Sequence, residues 1–301
     1  MKKSILLTSL TLALIFPAFS LTTGVSIPAQ TDIALTGAPI SCAKTDISTS
    51  AFTLSPLTDG ILASTSLALC TTDIILDKAF NFGYQEYSTQ TFDIQSVNGF
   101  DRVFMRPYSS VLDKISDGLC IATILAPSVL FALPYTEYLT VGVMYAETLA
   151  FTLGIKEILK MSISRTRPYM YFSDFPQTEI DNAKWNRSFP SGHTSYAFAS
   201  AAFTSYTFCK YFPQSKWKIP VLAASYALAF STASLRLASG SHFATDILAG
   251  VGIGSVCGFL VPFFHTLSAD NKTLTDNGEI ALCDNAFVKL SPLALQIKIR
   301  Y

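Results

Sequence analysis

The sequence predicts an all-α protein, a membrane-embedded bundle of about five to six apolar helices whose polar N- and C-terminal segments favour short β-strands. Half of the 301 residues are hydrophobic and only 14% are charged, and the mean hydropathy is +0.39. Soluble domains carry about 25% charged residues, so this composition is typical of a membrane protein. The apolar residues gather in six blocks, which are 61–76, 119–133, 139–159, 194–209, 219–235 and 247–267.

The chain begins with a pattern that predicts an export signal over residues 1–20. Lys2 and Lys3 precede an apolar run over 5–16, and Ala18 and Ser20 supply small residues where a signal peptidase cleaves. An uncleaved anchor is the alternative. Residues 21–58 are rich in Thr, Ser and Pro, which predicts a polar extracytoplasmic segment of loops or edge strands.

The first apolar block, 61–76, is short for a bilayer span of about 20 residues, so it either spans or lies at the interface. The polar and aromatic stretch 78–117 is predicted to be a solvated or membrane-surface loop, with a flap over a site as the alternative. The five later blocks predict antiparallel helices, because turns such as 134–138 are short. Polar residues within them, such as Glu147 and Lys156, should face the bundle. We expect one helical domain over 59–267.

The tail 268–301 turns polar and ends in a strict two-residue alternation over 293–301, which predicts a terminal strand that could pair with the N-terminal segment. The six cysteines show no metal-site spacing. Four lie in apolar segments as small core residues. Cys42 and Cys283 lie in the two polar tails, where they either pair in an oxidising compartment or stay as separate thiols.

The charged residues limit the partners and cofactors. Basic and acidic residues balance at 21 each, which argues against nucleic acid as a partner. The sequence shows no clustered set of carboxylates, so we expect neither a metal nor another cofactor. Protein partners are not indicated by any pattern.

Three polar clusters interrupt the apolar pattern at predicted helix ends. In the first, Arg167 follows Lys160 by seven positions, nearly two helical turns, so both cations should face one way while Pro168 ends the helix. Taken alone, two such cations could equally extend to lipid headgroups.

The second cluster is Pro190, Ser191, Gly192 and His193, where a polar loop meets an apolar helix. Free backbone N–H groups and the helix dipole favour an anion at such a helix start. Pro190 suits a first turn, Gly192 permits close approach to a ligand, and Ser191 is placed to cap the helix or bond a phosphate oxygen. His193 could transfer a proton to a leaving group, or could be structural.

The third cluster is Arg236, His242 and Asp246. A His and an Asp four positions apart on one helix face can hydrogen-bond, which would fix the tautomer and leave the other imidazole nitrogen free to attack. Each cluster alone is weak. In an antiparallel bundle, however, all three lie at the same end, which favours one site that handles a phosphate.

Together these clusters resemble the signature of the type 2 phosphatidic acid phosphatase and vanadium haloperoxidase superfamily. The resemblance covers about residues 118–265 and follows the order Lys160-x6-Arg167-Pro168, Pro190-Ser191-Gly192-His193 and Arg236-x5-His242-x3-Asp246. One departure is Leu235, which stands where the family usually has serine directly before the arginine; Ser234 precedes it.

The resemblance implies a metal-independent phosphatase. His242 would attack phosphorus to form a phosphohistidine, Asp246 would orient it, and His193 would protonate the leaving group. Lys160, Arg167, Ser191, Gly192 and Arg236 would bind the phosphoryl oxygens. Other members of the superfamily leave three alternatives: a soluble periplasmic acid phosphatase, a vanadium haloperoxidase, and a non-enzymatic protein that binds or transports lipid phosphate.

The expected substrate is a membrane lipid phosphate monoester or an isoprenoid diphosphate, since aromatic residues at 169, 171 and 172 follow the first cluster. The sequence does not choose among such lipids. The expected location is the bacterial inner membrane. The resemblance favours a site facing the periplasm, whereas a spanning first block after an exported N-terminus would place it in the cytoplasm.

Overall fold

The computed structural model describes residues 51–80, 87 and 91–269, and three strands of the tail. In this part of the chain there are eight α-helices and four short 3₁₀ turns. The helices are α1 (Pro56–Phe80), α2 (Gly99–Phe104), α3 (Ser110–Ile124), α4 (Tyr138–Ile163), α5 (Gln177–Asp181), α6 (Gly192–Tyr211), α7 (Lys218–Ala238) and α8 (Ala244–Ala269). The 3₁₀ turns are Ile94–Ser96, Ala126–Ala132, Tyr135–Glu137 and Pro168–Tyr171.

The predicted all-α membrane bundle is confirmed: five of the six apolar blocks lie within long helices, and the block 119–133 runs from the end of α3 into the 3₁₀ segment Ala126–Ala132. Five segments are long and apolar enough to cross a membrane by length and composition: Pro56–Leu76, Ser110–Ala132, Tyr135–Tyr171, Lys218–Ala238 and Ala244–Thr266. The chain is accordingly a membrane protein. The sixth long helix, α6, is not among these segments. It is rich in Ser, Thr and Ala and is mostly buried.

Helix α6 is the centre of the bundle, since it packs against α8, α7, α3 and α4. The closest of these contacts is with α8, where three glycines line the interface. A Cβ at Gly250 would lie 2.8 Å from the Ser191 carbonyl oxygen, and one at Gly254 or Gly258 would overlap the α6 backbone at Ser195 or Ala199. These three glycines let the two helices pack closely.

The helix that contains the first apolar block is longer than the block itself. Helix α1 has 25 residues, and its Pro56–Leu76 portion is long enough to span a bilayer. The residues on either side of the apolar block extend the helix, and Pro56 is favourable in the first turn of α1. The helix packs against α4, where Gly154 leaves room for Leu69.

The stretch 78–117 also differs from the predicted loop. Helix α3 begins at Ser110, well before residue 119, and its first turn is capped by the Ser109 hydroxyl, which accepts from Leu112 N at 3.5 Å. The Ser109 N–H donates to the Ser239 carbonyl at 3.0 Å. Gly240 has a φ of +72° and lies so close to the Arg106 and Pro107 backbone that a Cβ would overlap it. These contacts hold the start of α3 against the end of α7.

A buried polar cluster joins three helices at a place that no sequence pattern indicated. His265 Nε2 lies 2.8 Å from Glu147 Oε2, and His265 Nδ1 lies 3.4 Å from Asp59 Oδ1. One potential ligand atom of each residue lies within 4.8 Å of the others. No pattern in the sequence marks this cluster, because its residues come from α1, α4 and α8, far apart in the chain.

The tail strands belong to a second compact unit, separate from the helical one. They are β1 (Glu279–Cys283), β2 (Ala286–Ser291) and β3 (Ala294–Ile299), an antiparallel sheet in the order β1-β2-β3. The strand predicted over 293–301 is therefore confirmed, and it pairs with β2. The export signal, the segment 21–50 and a Cys42–Cys283 disulfide lie outside the described residues. Cysteines 70, 120, 209 and 257 are free thiols.

Candidate active site

The helix ends that carry the three clusters enclose one pocket of about 280 Å³. It lies where α4 and α7 end, where α6 begins, and where the α7–α8 connection passes. Its lining residues are Glu157, Lys160, Arg167, Lys184, Arg187, Gly192, His193, Arg236 and His242. The structure thus brings together six of the eight residues singled out in the sequence. Ser191 and Asp246 do not line the pocket.

His242 is buried, and its tautomer follows from its hydrogen bond. Nδ1 lies 2.8 Å from the Ser188 carbonyl oxygen. A carbonyl can only accept, so Nδ1 carries the proton and Nε2 is the nitrogen with a free lone pair. Burial lowers the pKa of His242 well below its ordinary value, and the cations of Arg167, Arg236 and Lys160 lower that pKa further. The imidazole is therefore neutral and nucleophilic.

His193 lies one residue into α6, and its Nε2 is 2.9 Å from Asp117 Oδ1 on α3. Burial lowers the pKa of His193 to about 3, with further lowering from Arg236 and Lys160 and an opposing effect of Asp113. A bound phosphate would reverse the effect of the two cations, because its negative charge stabilises an imidazolium.

Arg236 is almost entirely buried, at 3% exposure. Its NH1 donates to Asp113 Oδ1 at 2.5 Å and to Ser116 Oγ at 3.2 Å. Its Nε is buried without a hydrogen-bond partner within the part of the chain that the structure describes. Buried polar groups are normally paired, so an unpaired guanidinium nitrogen at a pocket wall is consistent with an anion binding there.

Residues 141–269, which hold all three clusters, match the family model of the PAP2 superfamily. This part of the chain is similar to the PAP2 superfamily. A resembling solved structure is described as the first transmembrane PAP2 type phosphatidylglycerolphosphate phosphatase, from Bacillus subtilis. It shares 22% identity with a TM-score of 0.42, over 66% of this chain and 94% of that one. No curated protein matches the chain. The PAP2 match and the membrane helices together support a lipid phosphatase.

The first PAP2 cluster is not one helical face, as its spacing had suggested. Helix α4 ends at Ile163, and Ser164 takes a left-handed conformation with a φ of +44°. Arg167 therefore reaches the pocket from a loop. Its Nε donates to the Lys184 carbonyl at 3.1 Å, and its N–H donates to the Trp185 carbonyl at 2.8 Å.

The second cluster also differs locally from the expectation. Helix α6 begins at Gly192, so Pro190 precedes the helix and does not form its first turn. Ser191 stands at the N-cap position without a side-chain cap bond. Its hydroxyl is 2.9 Å from Thr194 Oγ1, and its N–H donates to the Asp246 carbonyl at 3.1 Å. Gly192 lies beside Lys160, since a Cβ there would be 3.4 Å from the lysine Nζ.

In the third cluster, the expected hydrogen bond between His242 and Asp246 is absent. Asp246 Oδ2 lies 3.7 Å from His242 Nδ1 and instead accepts from Ser188 Oγ at 2.5 Å and from Phe243 N at 2.9 Å. The reason is that α8 begins at Ala244, so His242 is not on the helix and the four-residue spacing does not place both on one face. Ser188 links the two residues, because its hydroxyl bonds Asp246 and its carbonyl oxygen lies 2.8 Å from His242 Nδ1.

A second layer of charged residues, which no sequence pattern indicated, surrounds Asp246. Arg165 donates to Asp246 Oδ1 at 2.6 Å and to Asp101 Oδ2 at 2.7 Å, and its guanidinium lies 4.0 Å from the centre of the Phe243 ring. Burial alone would raise the pKa of Asp101, but hydrogen bonds from Arg165 and Thr245 outweigh burial and lower it. Asp101 is thus held as an anion beside Arg165, which also bonds Asp246.

Other residues around the pocket were also missed. Asp113 and Asp117 lie one helical turn apart on α3, and this polar face in an apolar segment was a usable signal. Lys184 and Arg187 line the pocket from the segment before α6. Glu157 also lines it and forms an ion pair with Lys156. Lys184 and Arg187 lie in a stretch without a repeating pattern, so only the tertiary structure brings them to the pocket.

Proposed function

We propose that this protein hydrolyses a lipid phosphate monoester or an isoprenoid diphosphate through a phosphohistidine intermediate and releases inorganic phosphate. The observation that carries the proposal is the state of His242. Its Nδ1 is committed to the Ser188 carbonyl, its imidazole is neutral, and it lines a pocket rich in Lys and Arg. A nucleophile with a free lone pair facing bound phosphate is what phosphoryl transfer to histidine requires.

In the proposed mechanism, His242 Nε2 attacks phosphorus as the P–O bond to the leaving group breaks. Lys160, Arg167 and Arg236 stabilise the charge that develops on the equatorial oxygens, and the Gly192 N–H at the α6 start adds a donor. His193 gives its proton to the leaving oxygen. It then takes a proton from water, which attacks the phosphohistidine and releases inorganic phosphate and free His242.

Asp246 and Ser191 have positioning roles in this proposal. Asp246 holds Ser188, whose carbonyl orients His242, and it also accepts from Phe243 N beside the histidine. The Ser191 hydroxyl is engaged with Thr194, so Ser191 fixes the start of α6 and does not bind phosphate directly. No step needs a metal ion, because cationic side chains supply the charge.

The test is phosphate release by purified protein. We expect His242→Ala and His193→Ala each to abolish release while the protein keeps its thermal unfolding midpoint. Lys218→Ala is a control, since Lys218 is half-buried at the start of α7, does not line the pocket, and bonds the Pro213 carbonyl. Vanadate should inhibit the wild type by adopting the five-coordinate geometry of the reacting phosphorus. Normal turnover by His242→Ala would disprove the covalent mechanism.

The same preparation separates the alternatives. A membrane enzyme stays in the pellet after a carbonate wash, whereas a soluble acid phosphatase leaves it. A protein that only binds or transports lipid phosphate would release no phosphate. A haloperoxidase would oxidise halide when loaded with vanadate.

The side of the membrane is also a proposal, and we place the site in the periplasm of a bacterial inner membrane. Leu69 on α1 meets Gly154 on α4, and Asp59 lies beside His265, far along α8 from the pocket. Helix α1 therefore enters from the face opposite the pocket. If α1 spans the membrane, the chain before α1 and the pocket lie on opposite sides. A site in the periplasm then requires an N-terminus that is not exported. A cysteine in the 212–217 connection should escape impermeant maleimide in intact cells; its labelling would place the site in the cytoplasm.

A further inference from the structure

We infer that His265, Asp59 and the Thr53 carbonyl bind one divalent metal ion, for which Zn²⁺ is the best fit. Glu147 completes the site by holding the histidine. These residues belong to the buried cluster where α1, α4 and α8 meet. Helix α8 begins at Ala244 beside the pocket, so His265 lies about 30 Å farther along it at 1.5 Å per residue. The site is separate from the phosphate pocket, and the inference does not depend on the proposed function.

The side chain of His265 is fully buried, and its two ring nitrogens have different partners. Nε2 lies 2.8 Å from Glu147 Oε2, a normal hydrogen-bond distance. A carboxylate accepts, so Nε2 carries a proton and Nδ1 is left as the potential ligand. Histidines that bind metals commonly donate their other ring N–H to a carboxylate in this way. Glu147 is itself buried, with 6% exposure, and thus holds the ring in one orientation.

Two oxygen atoms face His265 Nδ1, and neither of them can donate a hydrogen bond. They are the Thr53 carbonyl oxygen and Asp59 Oδ1, each 3.4 Å from the nitrogen. Such a group of acceptors requires a positive centre between them, either a proton or a metal ion. A proton would draw one oxygen to about 2.9 Å from the nitrogen. A tetrahedral Zn²⁺ with bonds of about 2.1 Å spaces its ligands about 3.4 Å apart, which is the separation found here.

The Asp59 carboxylate supports the same position for the ion. Its Oδ1 is buried and has no hydrogen-bond partner among the described residues, although buried polar atoms are normally paired. The side chain as a whole keeps 24% exposure. An ion can therefore enter from the surface of the bundle, and a water molecule can complete its coordination. An unpaired buried oxygen opposite a histidine nitrogen is suited to be a metal ligand.

The charge of the cluster also favours a divalent ion. Asp59 and Glu147 supply two carboxylates, and in the part of the chain that the structure describes their ion pairs are with His265 alone. A proton on the histidine would leave one negative charge uncompensated among apolar helices. One Zn²⁺ beside a neutral histidine balances both carboxylates, in agreement with the rule that buried charges are paired or coordinate a metal.

The ion would fasten α1 to the rest of the bundle. Asp59 lies in the first turn of α1 and His265 lies near the end of α8, so one ion shared by them joins helices that are far apart in the chain. These ligands come together only in the folded state, so the free energy of metal binding adds to the stability of the fold. The role of the ion is structural, because the pocket lies at the other end of α8.

The first test needs no variant. Tag-free full-length protein in detergent is stripped with EDTA, and Zn²⁺ binding is measured by competition with a fluorescent chelator. Wild-type protein should bind one Zn²⁺ per chain, and free Zn²⁺ at a hundred times its Kd should raise the unfolding midpoint by roughly 5–10 °C. If the protein binds no Zn²⁺ and its midpoint does not respond to Zn²⁺, the inference is overturned and a protonated histidine lies between the two carboxylates.

Variants then locate the ion. Glu147→Gln should weaken Zn²⁺ binding by about tenfold to a hundredfold, the usual loss for a carboxylate that orients a ligand. Asp59→Asn and His265→Gln remove ligands and should weaken binding further. Asp174→Asn, which removes an exposed carboxylate outside the cluster, is the matched control and should bind as wild type does. Wild-type affinity in both ligand variants would place the ion elsewhere and overturn the site. The wild-type titration decides the question even if a variant does not fold.

Discussion

Arg165 offers the sharpest test of how the active-site end of the bundle is held together. Its guanidinium joins Asp246 on α8, at 2.6 Å, to Asp101 on α2, at 2.7 Å. Asp101 in turn accepts from the Thr245 N–H at 2.9 Å, so the arginine closes a ring of contacts around the start of α8. We predict that Arg165→Gln destabilises the protein and also slows phosphate release.

The magnitude follows from burial. Both carboxylates have no solvent exposure, whereas the Arg165 side chain keeps 24% of its own. Removing one partner of a buried ion pair costs about 3–5 kcal/mol, because a charge is left without compensation. Glutamine can still donate one hydrogen bond, and water can reach this partly exposed position, so we expect about 3–5 kcal/mol in total for the two pairs. Activity should fall because Asp246 holds Ser188, which orients His242.

The assay is thermal unfolding in detergent, together with phosphate release below the unfolding temperature. Arg106→Gln is the matched control, since Arg106 is exposed and its side chain bonds only to the adjacent Met105 carbonyl among the contacts in the structure. Arg165→Lys should be intermediate, because one ammonium group cannot bridge both carboxylates as a guanidinium does. The reasoning fails if Arg165→Gln unfolds at the same temperature as Arg106→Gln.

Two further predictions concern the α3 wall and the α6–α8 interface. Asp117→Asn removes the carboxylate 2.9 Å from His193 Nε2, so the protonated imidazole of the substrate complex loses stabilisation. The basic limb of the kcat pH profile, which reports that complex, should therefore move about one unit to lower pH; an equal loss at every pH would indicate a merely structural residue. Gly254→Ala should lower the free energy of unfolding by about 1–3 kcal/mol, because its Cβ would overlap the Ser195 carbonyl oxygen. Gly252→Ala, with nothing within 4 Å of the new atom, should not be destabilising.

The sequence was sufficient for the helices because their signal is local. Each long apolar block had to be helical to satisfy its backbone in a membrane, and the blocks correspond to the six long helices. The convergence of Lys160, His193, Arg236 and His242 could also be predicted, because antiparallel helices place alternate ends on one side. That reasoning uses only the order of elements and no side-chain contact.

The predicted side-chain positions were wrong where helical spacing was assumed beyond the end of a helix. Arg167 lies past the left-handed Ser164, and His242 lies before α8 begins, so helical spacing did not describe the geometry of either one. Asp113 and Asp59 were missed for a different reason. Asp113 pairs with Arg236 and Asp59 with His265, each more than a hundred positions away, so the sequence does not show which partner either carboxylate has.

The cations of the site have two effects that act in sequence. In the free protein, burial together with Arg236 and Lys160 lowers the pKa values of both His193 and His242, which keeps the nucleophile unprotonated but also keeps the proposed acid neutral. Arrival of a phosphate anion cancels much of that positive charge, so the pKa of His193 should rise only when substrate is present. His242 keeps its free lone pair, because its Nδ1 proton is held by the Ser188 carbonyl. The same cations can thus give the two histidines different roles. They keep His242 unprotonated, and substrate binding would allow His193 to take up the proton that it donates.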